Sequence, residues 1–319
     1  MTLNYLLIII LPFLLSFLAT PLIIDFAFKK RFFDEPNDRK NHKLAIPRIG
    51  GIIIFLGTLL SLIFLFLIIK SDYSSEKNFL LVFILCSCSF FILGLIDDIK
   101  SISPFLRLFS QFVFASFAWK GVIKFNGLYF SNNLNNGFFP IDSEIVSYLL
   151  TVVWIVGVIN SINWIDGMDG LLIGITCIYS LTFSIIEALN QDFSGLFLSL
   201  IIFFSCLGFI KYNKYPAKIM TGDGGSYFLG FYLSIASLKT FSEVGVVNPF
   251  LLITLLFIPL IDMLRVILLR IIQKKSPFFP DRSHIHFLLF DSGISYKKCL
   301  FLIFFISILF SSFNIFLNL

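Results

Sequence analysis

"IGGIIIFLGTLLSLIFLFLII", residues 49–69, runs for 21 residues without one charged side chain. A helix of that length rises about 30 Å, the thickness of the hydrocarbon layer of a bilayer. Such a stretch is long enough to cross a membrane. Comparable apolar segments recur at residues 3–27, 79–96, 105–120, 144–163, 169–187, 193–210, 225–239, 248–270 and 298–316. The 319-residue chain is 58% hydrophobic and 13% charged. It therefore reads as an all-α polytopic membrane protein with about ten transmembrane helices, nine to eleven being allowed by the shorter segments.

The most polar intervals, residues 28–48, 121–142 and 271–297, are loops by size, so residues 1–319 form a single integral-membrane domain. The first segment has the apolar core of a signal peptide but no basic start and no clear small-residue cleavage site, and it reads as a retained helix. Cys86, Cys88, Cys177, Cys206 and Cys299 lie in or beside apolar segments, where they read as small buried hydrophobes rather than a disulfide framework.

Charge sets the expected orientation. Residues 29–48, 97–107, 211–218 and 265–298 together carry 19 of the 24 Lys and Arg. All four intervals fall on one side if the amino terminus is periplasmic, and the positive-inside bias makes that side the cytoplasm. The net charge of +5 is accounted for by anionic membrane lipids and calls for no nucleic acid.

The acidic residues follow the same side. Asp97 and Asp98 end the third segment, Asp166 and Asp169 follow the fifth, and Asp223 follows the seventh; the basic loop 274–286 follows the ninth. A carboxylate at membrane depth costs about 2.5–3.5 kcal/mol on insertion scales, and several together repel one another. A hard divalent cation, Mg²⁺ or Mn²⁺, is the natural neutraliser, and Mg²⁺ favours one or two carboxylates completed by substrate phosphates. Gly222, Gly224 and Gly225 around Asp223 suit backbone N–H groups approaching a phosphate at a helix start. Arg282, His284 and His286 supply further phosphate-contacting donors. Singly, each block has an ordinary explanation: an interfacial Asp pair, Asp-Gly turn chemistry, a glycine loop, a surface His pair. Together, on one face of a chain so poor in charge, they point to a site for a diphosphate.

Five blocks also carry a resemblance. They are FFDEPNDRKNHKLAIPRIGG (32–51), GLIDDIKSISPFLRLFSQ (94–111), NSINWIDGMDGL (160–171), KIMTGDGGSYFLG (218–230) and FFPDRSHIH (278–286). In order, they resemble the cytoplasmic signatures of the polyprenyl-phosphate N-acetylhexosamine-1-phosphate transferases, the superfamily that includes the peptidoglycan lipid I synthase. The resemblance implies a multi-pass enzyme of the bacterial inner membrane with its active site facing the cytoplasm. Its partners would be a UDP-N-acetylhexosamine, undecaprenyl phosphate and membrane lipids, and a homodimer is compatible with the class. With Mg²⁺ it would form undecaprenyl-diphosphate-sugar and UMP, the first step of a surface polysaccharide such as O-antigen or teichoic acid.

By the same resemblance Asp223 is the principal metal ligand, with Asp166 and Asp169 beside it. Asn163, Asp166 and Asp169 would lie near the nucleotide and the metal, with Asn160 as their support. Asp97 and Asp98 activate or orient the lipid phosphate, and His284 and His286 contact the phosphates of either substrate. A phosphate monoester has its second pKa near 6, so the lipid phosphate arrives largely as a dianion and needs little help from a base; the Asp97–Asp98 pair is expected to position or to serve the metal, with at most one of the two acting as a base. Arg48, with Arg39, Lys40, His42 and Lys43, would orient the lipid phosphate or order its loop. Where the family often has His-x-His-His, Phe287 follows His286 here. The signatures stand closer to the small-sugar branch, making N-acetylglucosamine 1-phosphate the expected transferred group, with another amino sugar as the alternative. The alternative of a different class is an ion-coupled transporter or flippase, which would place charges near mid-span.

Overall fold

The computed structural model describes residues 2–30, 32–34, 46–69, 74–129, 138–243, 246–278 and 281–319. The first apolar segment forms α1 (Thr2–Lys30), and a short antiparallel pair, β1 (Phe33–Asp34) and β2 (Ile46–Pro47), precedes α2 (Gly51–Ile68). Then follow α3 (Ser74–Ile99), α4 (Pro104–Gly121), β3 (Gly127–Tyr129), β4 (Phe138–Pro140), α5 (Glu144–Ile165), α6 (Leu171–Leu189), α7 (Phe193–Asn213) and α8 (Gly222–Thr240). The chain closes with β5 (Ser242–Glu243), β6 (Val246–Val247), α9 (Pro249–Leu255), α10 (Phe257–Ile272), α11 (Ile285–Asp291) and α12 (Tyr296–Leu317). Arg39, Lys40, His42 and Lys43 lie outside the described residues.

Every expected segment is helical, yet not every one is a plain span. Among the described residues seven helices are long and apolar enough to cross a membrane, namely α1, α2, α3, α5, α6, α7 and α12. The ninth expected segment, 248–270, is instead two helices bent by 87°. Pro259 explains the break: it has no N–H to give the Leu255 carbonyl, and its ring crowds the preceding turn. Counting the bent pair as one gives up to eight spans. The other two expected segments are α4, which carries Arg107 and Lys120, and α8.

Helix α8 is the axis of the bundle. It packs against α3, α5, α2 and α6, and all its residues from Gly224 to Leu238 are buried. A helix that never faces lipid need not be strongly apolar, and GDGGSYFLGFYLSIASLKT is not among the seven helices apolar enough to count as a span by itself. Small residues let neighbours come close, as membrane helices require: a Cβ at Gly230 would stand 2.8 Å from Ile159 Cα. Ser234 and Ser237 satisfy their hydroxyls on the carbonyls of Phe231 and Ser234, at 2.7 and 2.9 Å.

At the end where α4 and α8 finish, a small sheet of order β4-β3-β6-β5 ties the two connections together, with β3 and β6 parallel. The opposite end, where α3 and α5 finish and α6 and α8 begin, gathers the acidic motifs. All five cysteines are free; Cys86, Cys206 and Cys299 are buried as expected, whereas Cys88 and Cys177 are only partly so.

Candidate functional site

Neighbouring residues on a helix point about 100° apart, so Asp97 and Asp98 at the end of α3 meet different partners. Asp98 turns onto α8. Its Oδ1 accepts the Asp223 N–H at 2.8 Å and its Oδ2 the Gly224 N–H at 2.9 Å. The first N–H groups of a helix have no partner within it and carry the positive end of its dipole. A carboxylate satisfies both needs. The expectation that these amides receive a phosphate is thereby corrected: Asp98 already occupies them. The glycines serve close approach instead. Gly222 takes a left-handed conformation, φ 76°, with its Cα against the Arg48 carbonyl, and a Cβ at Gly94 would overlap the Asp223 carbonyl.

Arg48 reaches the same place through backbone pairing. Met220 N–H donates to Pro47 O at 2.8 Å, and Gly51 N–H donates to Thr221 O at 2.8 Å. The segment before α2 is thus laid beside the segment before α8. The guanidinium then lies 3.0 Å from Asp223 Oδ1 and 3.5 Å from Asp98 Oδ1. Asn163, in the last turn of α5, donates to Asp223 Oδ1 at 2.8 Å and to Ser226 Oγ at 2.9 Å. The Asp98 side chain is 2% exposed and that of Asp223 15%, so Asp223 is the one of the pair with access to a ligand.

Asp97 holds the α3–α4 corner. It accepts the Ile102 N–H at 3.0 Å, Arg107 at 3.2 Å and the Tyr227 hydroxyl at 3.1 Å. Asn160, expected to support Asn163, Asp166 and Asp169, instead donates its amide to Gln111 Oε1 at 2.7 Å and to the Val156 carbonyl at 2.8 Å. Asp169 is buried; its carboxylate accepts the Ala217 N–H at 2.8 Å, and its own N–H donates to the Tyr296 hydroxyl. Asp166 caps the end of α5 in the loop beyond it. Burial pushes its carboxyl up to about 7, Arg48 pulling the other way and the charges of Asp223 and Asp169 adding to the rise. Asp166, Asp169 and Asp223 therefore share a neighbourhood. They do not form a cage: among the described residues no three His, Cys, Asp or Glu side chains converge as a metal site.

The loop after α10 folds back onto this end. His284 and His286 are both buried, their rings parallel within 8° and 5.8 Å apart. His286 lies against Gly167, where any side chain would overlap its ring. That contact joins the histidine block to the Asp166–Asp169 loop. Burial pulls the His286 imidazole down to about 3, assisted by His284 and Arg282 and opposed by Asp262, so it is neutral. Arg282 is held by Asp291 at 2.7 and 3.2 Å and lies over Phe287, 4.6 Å from the ring centre. Phe287 is thus the platform under Arg282.

Four residues here were not expected. Asp262 in α10 receives His284 Nδ1 at 2.8 Å, Arg270 holds Asp281 at 3.0 and 3.2 Å, and Trp164 meets both Arg270 and the His284 ring. The signal was present: an aspartate and two arginines inside the 248–270 segment are costly unless they have a task.

Residues 80–241 match Glycosyl transferase family 4. A Bacillus subtilis (strain 168) protein, a probable undecaprenyl-phosphate N-acetylglucosaminyl 1-phosphate transferase, is 33% identical over 311 residues, covering 95% of this chain and 83% of that protein. The chain belongs to glycosyl transferase family 4. Two more relatives of this family member are each 30% identical to it. One is the Thermotoga maritima undecaprenyl-phosphate alpha-N-acetylglucosaminyl 1-phosphate transferase, with 86% of this chain and 78% of that protein covered. The other is the Mycobacterium leprae decaprenyl-phosphate N-acetylglucosaminephosphotransferase, with 91% and 78% covered. The family 4 match takes in Asp97, Asp98, Asn163, Asp166, Asp169 and Asp223 and ends before the histidine block.

Proposed function

We propose that this chain transfers N-acetylglucosamine 1-phosphate from UDP-N-acetylglucosamine to undecaprenyl phosphate, giving undecaprenyl-diphosphate-N-acetylglucosamine and UMP. The observation that carries the reading is the group Arg48, Asp98, Asn163 and Asp223, drawn from four separate sequence blocks into one hydrogen-bonded cluster at one end of the bundle. Relatives named for this reaction align with most of the chain. They lend no support to the ion-coupled transporter alternative. The basic residues support a cytoplasmic site in a bacterial inner membrane, where a UDP-sugar is available.

In this reaction an oxygen of the lipid phosphate attacks the β-phosphorus of the UDP-sugar, and the bond from that phosphorus to the bridging oxygen breaks, releasing UMP. The attacking phosphate is already mostly dianionic at cytoplasmic pH, so no base is required. The work is to bring two anions into line and stabilise the charge that moves. Arg48, partly exposed between Asp98 and Asp223, supplies positive charge at the cluster. Asp98 and Asp97 act by position, one fixing the start of α8 and the other the α3–α4 corner.

The donor set fits Mg²⁺. Among the described residues both Arg48 and Asn163 donate to Oδ1 of Asp223, which leaves Oδ2 for a cation. Asp223 and Asp166 would hold the ion, substrate phosphate oxygens and water completing its shell, while Asp169 fixes the loop. Bound there, Mg²⁺ would offset the negative charge of the diphosphate and the departing UMP.

The test is turnover by purified protein in detergent with undecaprenyl phosphate, Mg²⁺ and a panel of UDP-N-acetylglucosamine, UDP-N-acetylgalactosamine and UDP-muramoyl pentapeptide. Lipid product from the first donor supports the reading. Product from another donor alone would move the specificity, and product from none would remove the function.

A further inference from the structure

Asp262 lies in the first half of α10, between Ile261 and Met263, and is 5% exposed. Two of the three hydrogen bonds to its carboxylate come from the turn that carries His284 and the third from Arg265 on its own helix. Oδ2 meets His284 Nδ1 at 2.8 Å, while Oδ1 accepts the Ile285 N–H at 2.9 Å and Arg265 at 2.7 Å. Arg265 also donates to the Ser283 carbonyl. With both oxygens engaged the carboxylate cannot turn, and the backbone on each side of His284 is held. The imidazole is held as well, by Trp164 at its edge, 5.4 Å between centroids, and by the parallel ring of His286.

We infer that Asp262 is a positioning residue for His284, fixing Nδ1 as the hydrogen-bearing nitrogen and presenting Nε2 to the phosphates of the bound substrates. The inference rests on the role proposed above for His284. An ionised carboxylate only accepts, so the nitrogen that faces it must donate. His284 Nε2 makes no hydrogen bond to any described residue, and it is the part of the ring left for a ligand. His286 offers the contrast: it is fully buried and neither of its nitrogens has a hydrogen-bond partner among the described residues. Among the described residues, of the two histidines only His284 has an orienting carboxylate. With both side chains buried, the pairing is strong while intact and costly when broken.

The experiment is a cycle of Asp262→Asn, His284→Ala and the double variant in the full chain, assayed with UDP-N-acetylglucosamine and undecaprenyl phosphate. The asparagine fills the same space but can turn its NH₂ toward Nδ1 and favour the other tautomer. Losing an orienting partner should lower kcat on the order of 10- to 100-fold, with no further loss in the His284→Ala background and partial recovery in Asp262→Glu. The chain has 3 histidines, so ¹⁵N NMR of labelled protein can read the tautomer directly: Nδ1–H in the wild type, shifted toward Nε2–H in Asp262→Asn. Equal losses in both backgrounds, an unchanged kcat, or a wild-type Nε2–H tautomer would each overturn the inference. Full turnover by His284→Ala would refute the role given to His284, while the NMR result would still report the Asp262 pairing by itself.

Discussion

Asp98 accepts the backbone N–H of Asp223 at 2.8 Å, so one of the two aspartates at the centre of the site is the N-terminal cap of the helix that presents the other. Replacement of Asp98 should accordingly cost stability as well as activity. Asp98→Ala strips the start of α8 of both acceptors, and leaving buried donors unpaired costs about 1–3 kcal/mol each. Asp98→Asn keeps one acceptor oxygen and should melt between wild type and the alanine variant. Thermal melting in detergent beside turnover checks this. If Asp98 served only as a base, the asparagine variant would melt like wild type.

The close contact of α3 and α2 with α8 should tolerate no added methyl group. At Gly94 a Cβ would overlap the Asp223 carbonyl, and at Gly51 the Gly225 backbone. Gly94→Ala and Gly51→Ala should each lose about 1–3 kcal/mol by overpacking and move the carboxylate cluster, lowering turnover. Gly157→Ala is the control, since no atom lies within 4 Å of the added Cβ. It should melt no lower than wild type.

Arg48 spans two carboxylates with different nitrogens, which a lysine cannot do. Arg48→Lys should keep the positive charge and the fold yet lower turnover, because a single ammonium cannot hold Asp98 and Asp223 in the one fixed geometry. Unchanged kcat and KM would show that charge alone is what Arg48 contributes.

Acid should weaken the fold through His286. Its imidazole is held down to about 3 in the folded chain against an ordinary value of 6.5. Between those values the unfolded chain binds a proton that the folded chain does not, so stability from this residue is full above about pH 6.5 and falls as pH drops toward 3. His284, Asp262 and Arg282 are the groups acting on it. Melting curves of wild type and His286→Phe across that range should show the wild type losing more, provided the phenylalanine is accommodated beside Gly167; parallel curves would contradict the burial of a neutral ring.

Much of this was legible in the sequence, because a charged residue in so apolar a chain draws attention to itself. Asp98, Asn163, Asp223 and Arg48 do meet, and His286 does reach the Asp166 loop. What spacing could not supply was direction. Asp97 and Asp98 are one residue apart, but only the packed helices show that one turns to Arg107 and Tyr227 and the other to the start of α8. The glycines around Asp223 suit either phosphate or close helix packing, and the choice depends on which atoms of α2 and α3 come near. Asp262 was hidden in a stretch that hydropathy averages into one span. Pro259 marked the break, and the 87° bend that follows depends on tertiary contacts as well. The segment 225–239 reads as one span among ten, and only the packing shows that α8 is walled by helices rather than by lipid.

The most direct measurement follows the phosphorus atoms. UDP-N-acetylglucosamine carrying ³²P at the β-phosphorus is incubated with purified protein, undecaprenyl phosphate and Mg²⁺, and the radioactivity is followed into separated lipid and aqueous products, with Asp223→Ala in parallel. Phosphoryl transfer puts the β-phosphorus in the lipid diphosphate and releases unlabelled UMP, and the variant should form neither product. Label recovered in free UDP, with the sugar alone moved to the lipid, would contradict attack at phosphorus and with it the proposed reaction.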